Sequence, residues 1–289
     1  MTQLTQQILS GVATGAIYAS LALALVMIHQ ATESVNFAQG EMAMFSTYIA
    51  WSLVQVGTPF WIAFVLTVVI SFIGGVLIER IIVRPVENAP VLSHVIVFIG
   101  LLVIFSAVAG WIFTYTVKQF PSPFPTKPLL GGAVTGHDLG VIGVTFVMLI
   151  LLFLFFRFTP LGLAMRAAAQ NPESARLVGI RVGWMLAIGW GLAAAVGAVA
   201  GIMVAPILFL DPHMMSGVLL YAFAAALLGG ISSPGGAVLG GLIVGVLENL
   251  VGTYLIASEL KLTMALALII IVLVVKPSGL FDAHAVKRV

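Results

Sequence analysis

Hydrophobic residues in this chain do not alternate with polar ones. They come in long runs, separated by short stretches where proline, glycine and charge gather. Nine such runs stand out, at 8–28, 38–56, 60–80, 93–115, 141–157, 184–205, 217–231, 236–256 and 262–275. Most approach the roughly 17–25 residues that a helix needs to cross hydrocarbon. Backbone groups inside a bilayer must pair within the spanning structure, which leaves helices or a closed barrel. Continuous rather than alternating runs select helices. The pattern predicts an all-α polytopic membrane protein with about nine membrane-embedded segments, organised as one transmembrane domain over 1–289. Runs 38–56 and 217–231 are short or glycine-rich, so broken or partly re-entrant helices stay open there.

Composition supports this. Of 289 residues, 61% are hydrophobic and only 8% charged, and the mean hydropathy is +1.20. A soluble domain carries about a quarter charged residues. With no cysteine, disulfides, thiolate metal sites and cysteine nucleophiles are all excluded. The opening MTQLTQQ lacks the basic segment of a secretory signal, so the first run reads as a retained span.

The net charge of +2 is small, and its distribution says more. Counted by connection, one side holds Arg80, Arg84, Arg157, Arg166, Arg176, Arg181, Lys276, Lys287 and Arg288. The other holds Lys118, Lys127 and Lys261. Positive charge marks the cytoplasmic side, so the N-terminus is expected outside and the C-terminus in the cytoplasm. With an odd number of segments, runs one to four and six to nine would form an inverted-topology repeat if they are related. A bundle without internal symmetry is the alternative.

One cytoplasmic connection, about 159–182, is unusually long and helical in character. Thr159 and Asn171 are good N-cap residues, each followed by a proline suited to the first helical turn. Gly179 is placed to stop the second helix, and Ala164 and Ala167–Ala169 favour the first. Arg166, Arg176 and Arg181 offer charge to an acidic groove or to anionic lipid; alternatively they are topology markers. No run holds an aspartate, and Glu41 and Glu248 are the acids placed to sit within the membrane. No lysine precedes Ser or Thr, so a Walker A phosphate loop is absent. If this chain pumps, its energy arrives from another chain, and 159–182 is the best contact.

Asn36, Gln39 and Glu41 lie where the second run enters the membrane. They read either as a polar gate or as a helix start, with Asn36 capping and Glu41 favoured by the dipole near the interface. Glu248 and Asn249 sit well inside the eighth run, where a charge costs about 2.5–3.5 kcal/mol on insertion scales and faces the bundle or water. A translocation path and an interhelical hydrogen bond are both open. The small-xxx-small pairs Gly11/Gly15, Gly197/Gly201, Gly236/Gly240 and Gly241/Gly245 predict close helix packing. Ser232–Gly236 reads as a tight turn. The stretch 116–140 is the longest external connection, either a docking surface or a stiff loop. His29, His94 and His213 read as interfacial histidines with no metal-ligand spacing, and Trp51, Trp61 and Trp111 as outer anchors.

Four ordered blocks, VNFAQGEMAMFSTYIA (35–50), TPLGLAMRAAAQNPESARLVGI (159–180), GGISSPGGAVLGGLIVGVLENL (229–250) and KPSGLF (276–281), resemble the membrane subunits of bacterial ABC importers for branched-chain amino acids. The shorter of the two permeases of such systems is the nearer match. The resemblance implies an inner-membrane protein paired with a second, homologous permease. It further implies two cytoplasmic ATPases that bind the ATP, a periplasmic substrate-binding protein, and no cofactor, metal or nucleic acid of the permease's own. The segment holding Arg166, Ala167, Ala168, Gln170, Asn171, Pro172, Glu173 and Arg176 would then be the ATPase-coupling helices. The competing classes are a stand-alone carrier or channel for small polar solutes, a related permease for urea or amides, and an intramembrane enzyme. The last needs paired intramembrane aspartates or an activated serine, and neither is evident.

Overall fold

The computed structural model describes residues 3–281 except 33, 88, 126, 130–133 and 256–259. Lys287, Arg288 and Asp282, part of the 116–140 connection and the end of the 236–256 run lie outside the described residues. Each hydrophobic run is a helix: α1 (Gln3–Thr32), α2 (Gln39–Gln55), α3 (Phe60–Ile78), α4 (Val91–Phe113), α5 (Gly136–Phe158), α8 (Val182–Leu208), α9 (Met215–Gly229), α10 (Pro234–Tyr254) and α11 (Lys261–Val275). The connection after α5 forms α6 (Pro160–Gln170) and α7 (Pro172–Leu177). A small antiparallel hairpin, β1 (Pro128–Leu129) with β2 (Val134–Thr135), precedes α5.

Six of these helices, α1, α3, α4, α5, α8 and α10, are long and apolar enough to cross a membrane. The helices α2 and α9 are unbroken, but their 17 and 15 residues make only about 25 and 22 Å of helix. Hydrocarbon is about 30 Å thick, so these two are short elements held inside the bundle rather than interrupted spans. The helices α1 and α8 form the centre, with most of their apolar stretch buried, whereas α3, α4 and α5 expose Ile, Leu, Val and Phe on their outer faces. This is the sidedness lipid-facing helices require.

Close packing explains the glycine pairs. A Cβ on Gly15 would stand 2.9 Å from the carbonyl oxygen of Gly241, and one on Gly11 would stand 2.7 Å from Cα of Val246. Both distances are shorter than any real Cβ contact, so α1 and α10 touch backbone to backbone, running antiparallel. Gly197 leaves room for the Gln39 side chain of α2, and Gly201 for the Thr47 hydroxyl and the Ala43 carbonyl.

Neighbour relations carry an internal symmetry. Exchanging α1–α4 with α8–α11 maps α1/α10 onto α8/α3, α1/α9 onto α8/α2, α2/α3 onto α9/α10 and α2/α4 onto α9/α11, and all eight pairs pack together. The C-terminal half of α1 (Leu23–Ile28) lies against the N-terminal half of α8 (Trp190–Val196), so the two central helices are antiparallel. That is the relation expected of an inverted repeat.

Several boundaries move. α5 starts at Gly136 instead of 141, because Thr135 and Asp138 form a reciprocal capping box. Asp138 is thus a first-turn residue, not a loop residue. α10 starts at Pro234 instead of 236, with Pro234 opening it behind the Ser233 cap. α3 runs on through a π-helical turn, Glu79–Val83, and a 3₁₀ turn, Arg84–Val86.

Charge segregates along the bundle. Gln30 at the end of α1 donates to the carbonyl of Ser232, and Leu280 N–H donates to the carbonyl of Leu228. Gln30, Ser232 and Arg166 line one cavity, so the end of α1, the α9–α10 turn, the chain after α11 and α6 share one end. Arg80, Arg84, Arg157, Arg166, Arg176, Arg181 and Lys276 all belong to that end. Lys118, Lys127 and Lys261, with the start of α1, lie at the other.

Candidate functional site

Two regions carry most of the residues the sequence singled out. The first is an open-sided cavity where α2 and α9 begin. Ahead of α2, the Asn36 side-chain oxygen accepts the N–H of Ala38 at 3.0 Å, and Asn36 Nδ2 donates to Gln39 Oε1 at 3.3 Å. Gln39 Nε2 donates to the carbonyl of Ala193 at 3.0 Å, near the middle of α8. These bonds satisfy a backbone that doubles back into the bundle. They start α2 level with the midpoint of α8, so Glu41 lies deep rather than near an interface. Asn36 is not the cap residue; Ala38 holds that position, and Asn36 secures the turn before it. Asn36 and Gln39 are fully buried and bonded, and act as the fastening of α2.

The first turn of α9 packs on that of α2: a Cβ on Gly40 would meet Leu219 at 3.2 Å and Met215 at 3.4 Å. α4 and α9 each pack on α2, and between them lies a cavity of about 600 Å³, lined by Phe37, Glu41, Ser106, His213, Ser216 and Phe223 among others. Glu41 is 3% exposed. Its Oε1 accepts from Ser216 Oγ at 3.5 Å, while Oε2 has no partner; Ser106 Oγ has none either. Polar atoms buried without partners cost free energy. Glu41 and Ser106 both line this apolar-walled cavity, and each carries a buried oxygen that no described protein group satisfies.

Glu248 belongs elsewhere. Tyr18 donates to its Oε2 at 2.6 Å, and the Tyr18 ring stacks on Tyr221 at 4.9 Å and 12°. This joins α1, α9 and α10 in the manner of the interhelical bond. The neighbouring Asn249 Nδ2 is buried without a partner. The sequence-selected polar residues therefore form two groups, with Glu41 apart from Glu248.

The second region is the elbow formed by α6 and α7. Thr159 Oγ1 accepts the N–H of Gly162 at 3.0 Å, and Asn171 Oδ1 accepts that of Ser174 at 2.9 Å. Prolines 160 and 172 open the two helices, and Gly179, at φ +85°, follows the second. Ala168, Ala175 and Val182 pack inward as a small core. Ala168 therefore supports the elbow from beneath and is no contact residue, while Ala167 is half-buried. Arg166, Gln170, Asn171, Pro172, Glu173 and Arg176 face outward. The apolar tip was not foreseen: Leu177 is 88% exposed and Val178 is 76% exposed. A polar-looking loop hides such a tip in the sequence.

A third buried acid was also missed. Glu79, 2% exposed, sits 3.7 Å from Arg84 Nε and 4.0 Å from Arg80 Nε. The Arg80 guanidinium lies 3.7 Å over the Trp184 ring, and that of Arg84 fills the space beside Gly183. In sequence, Arg80 and Arg84 read only as cytoplasmic charges, and Glu79 was not singled out. The π turn instead aims all three at the start of α8, where the elbow rejoins the bundle.

At the opposite end, Lys118 and Leu210 exchange backbone hydrogen bonds at 2.9 Å. His137 bridges Ser122 Oγ at 2.8 Å and the carbonyl of Met203 at 3.0 Å. The described part of the 116–140 connection is thereby pinned to α8, and Lys118 lies 5.0 Å over Trp51.

Comparison with known proteins agrees with these features. A family profile described as branched-chain amino acid transport system / permease component matches residues 7–274. The high-affinity branched-chain amino acid transport system permease protein LivH of Escherichia coli is 32% identical over 302 aligned positions, covering 98% of this chain and 97% of LivH. The corresponding BraD protein of Pseudomonas aeruginosa is 29% identical, with 98% and 97% covered. A probable LivH of Methanocaldococcus jannaschii is 29% identical, with 93% and 90% covered. A membrane bundle of paired half-repeats and a match along nearly its whole length lead to one assignment: the chain belongs to the permease component family of branched-chain amino acid transport systems.

Proposed function

We propose that this chain is the membrane permease subunit of an ATP-driven importer for branched-chain amino acids. It lies multi-pass in the inner (cytoplasmic) membrane of a bacterium, with the elbow in the cytoplasm and the N-terminus outside. A second, homologous permease completes the translocation path, two cytoplasmic ATPases bind the ATP, and a periplasmic binding protein delivers substrate. Substrate class comes from the names of the relatives. Coupling is supported by one observation above others: a doubly capped, outward-facing elbow with a basic rim and an apolar tip, at the end where the cations gather. Without a Walker A motif of its own, the subunit takes up mechanical work through that elbow. α6 and α7 move with the ATPases, and the Glu79–Arg80–Arg84 cluster, bound to the start of α8, passes the movement into the bundle.

The test is ATP hydrolysis by the assembled transporter in proteoliposomes. Deleting 166–178, or Arg166→Ala, leaves the chain inserted but removes hydrolysis stimulated by the loaded binding protein. Normal stimulation in the deletion rejects the coupling role.

A further inference from the structure

We infer that the cavity between α2, α4 and α9 is a substrate site inside the membrane domain, where Glu41 receives the ammonium group of an aliphatic amino acid. This rests on the importer reading above and adds a point of chemical selection to it.

Among the described residues, the three buried acids differ in what they hold. Glu79 faces two arginines, and Glu248 takes a 2.6 Å bond from Tyr18. Glu41 has a single 3.5 Å contact with Ser216 and one carboxylate oxygen with no partner. A deeply placed acid without a cation is costly unless something supplies positive charge. The cavity it faces, about 600 Å³, falls within the roughly 300–1,000 Å³ of small-molecule sites.

Its walls match an aliphatic amino acid. Leu102 and Val103 of α4, with Leu219 and Phe223 of α9, offer an apolar surface for a branched side chain. Ser106 Oγ, buried and unbonded, adds a second polar atom at the same wall. A carboxylate at the rim would meet the positive end of α9, which begins at Met215 beside the cavity residues His213 and Ser216. Selection of this kind falls on the ammonium group, because a neutral or anionic solute of the same shape leaves Glu41 unpaired.

The experiment uses the complete transporter, with its ATPases, in nanodiscs and without the binding protein. Radiolabelled L-leucine is bound and then displaced by 3-methylbutylamine, which keeps the amine, or by 4-methylpentanoate, which keeps the carboxylate. The expected result is that the amine competes about 10–100-fold better than the acid, the range of a charged hydrogen bond. Glu41→Gln, nearly identical in shape, brings the two competitors to parity. Ala107→Phe, which fills the cavity from α4 and leaves Glu41 untouched, abolishes leucine binding. Absent leucine binding in the unsubstituted transporter, equal competition there, an unchanged ratio in Glu41→Gln, or undiminished binding in Ala107→Phe each overturns the site. ATPase co-purification is scored in the same preparations. Its failure in the unsubstituted chain rejects the importer reading, a result separate from a loss of amine selectivity.

Discussion

Leucine 177 gives the sharpest quantitative handle on the elbow. At 88% exposure its side chain contributes almost nothing to the fold of the subunit, so Leu177→Ala leaves the melting temperature of the purified chain unchanged. Ala175 beneath it, 3% exposed, keeps the helix seated. In a groove on an ATPase the same side chain would be buried. Truncation to alanine deletes three carbons, at about 0.8 kcal/mol per buried methylene, or at most about 2.4 kcal/mol. Association returns only part of transferred area as affinity, which leaves about 1–2 kcal/mol, a five- to thirtyfold weakening. The assay is titration of purified ATPase subunit onto the permease in nanodiscs, read by fluorescence anisotropy. Leu177→Ala/Val178→Ala weakens it further. Unchanged affinity in the double variant, with the fold intact, refutes the claim that the tip docks.

Other consequences follow from the same contacts. Gly245→Val forces α1 and α10 apart at Gly11 and Gly15 and lowers stability by at least about 1–3 kcal/mol, measured as a fall in the thermal midpoint in detergent. Thr159→Ala and Asn171→Ala each remove a helix cap worth about 1 kcal/mol. Hydrogen exchange then accelerates across α6 or α7 while the exchange of α1 and α8 stays as it was. Glu79→Gln leaves Arg80 and Arg84 without their anion at the start of α8. It destabilises the chain, and Glu79→Gln/Arg84→Gln recovers part of the loss, as a double-mutant cycle on the thermal midpoint would show.

Periodicity and punctuation made the frame of this protein readable. All nine runs are helices, and both proline-led caps of the elbow form where Thr159 and Asn171 predict them. The depth of α2 was not readable. A local pattern locates a helix along the chain, but a chain that turns back inside the bundle, fastened by Asn36 and Gln39 to Ala193, looks in sequence like one entering from water. For that reason Glu41 read as interfacial. The separation of Glu41 from Glu248 and the pairing of the Gly11/Gly15 and Gly241/Gly245 motifs with each other are likewise tertiary facts. Glu79 had a usable signal, an acid five residues before Arg84 and six before Pro85 at the end of an apolar run. The exposed Leu177–Val178 tip carried none, since only packing shows which apolar residues have no cover.

Everything functional depends on the elbow facing an ATP-hydrolysing partner in the cytoplasm, and the absence of cysteine makes that directly measurable. Single variants Arg176→Cys and Lys118→Cys, at opposite ends of the bundle, are exposed to a membrane-impermeant maleimide in intact cells with a permeable outer layer. The prediction is that Lys118→Cys is labelled from outside, while Arg176→Cys is labelled only after the inner membrane is opened and is shielded when the ATPases are bound. Labelling of Arg176→Cys in intact cells, or no shielding by the ATPases, would contradict the account.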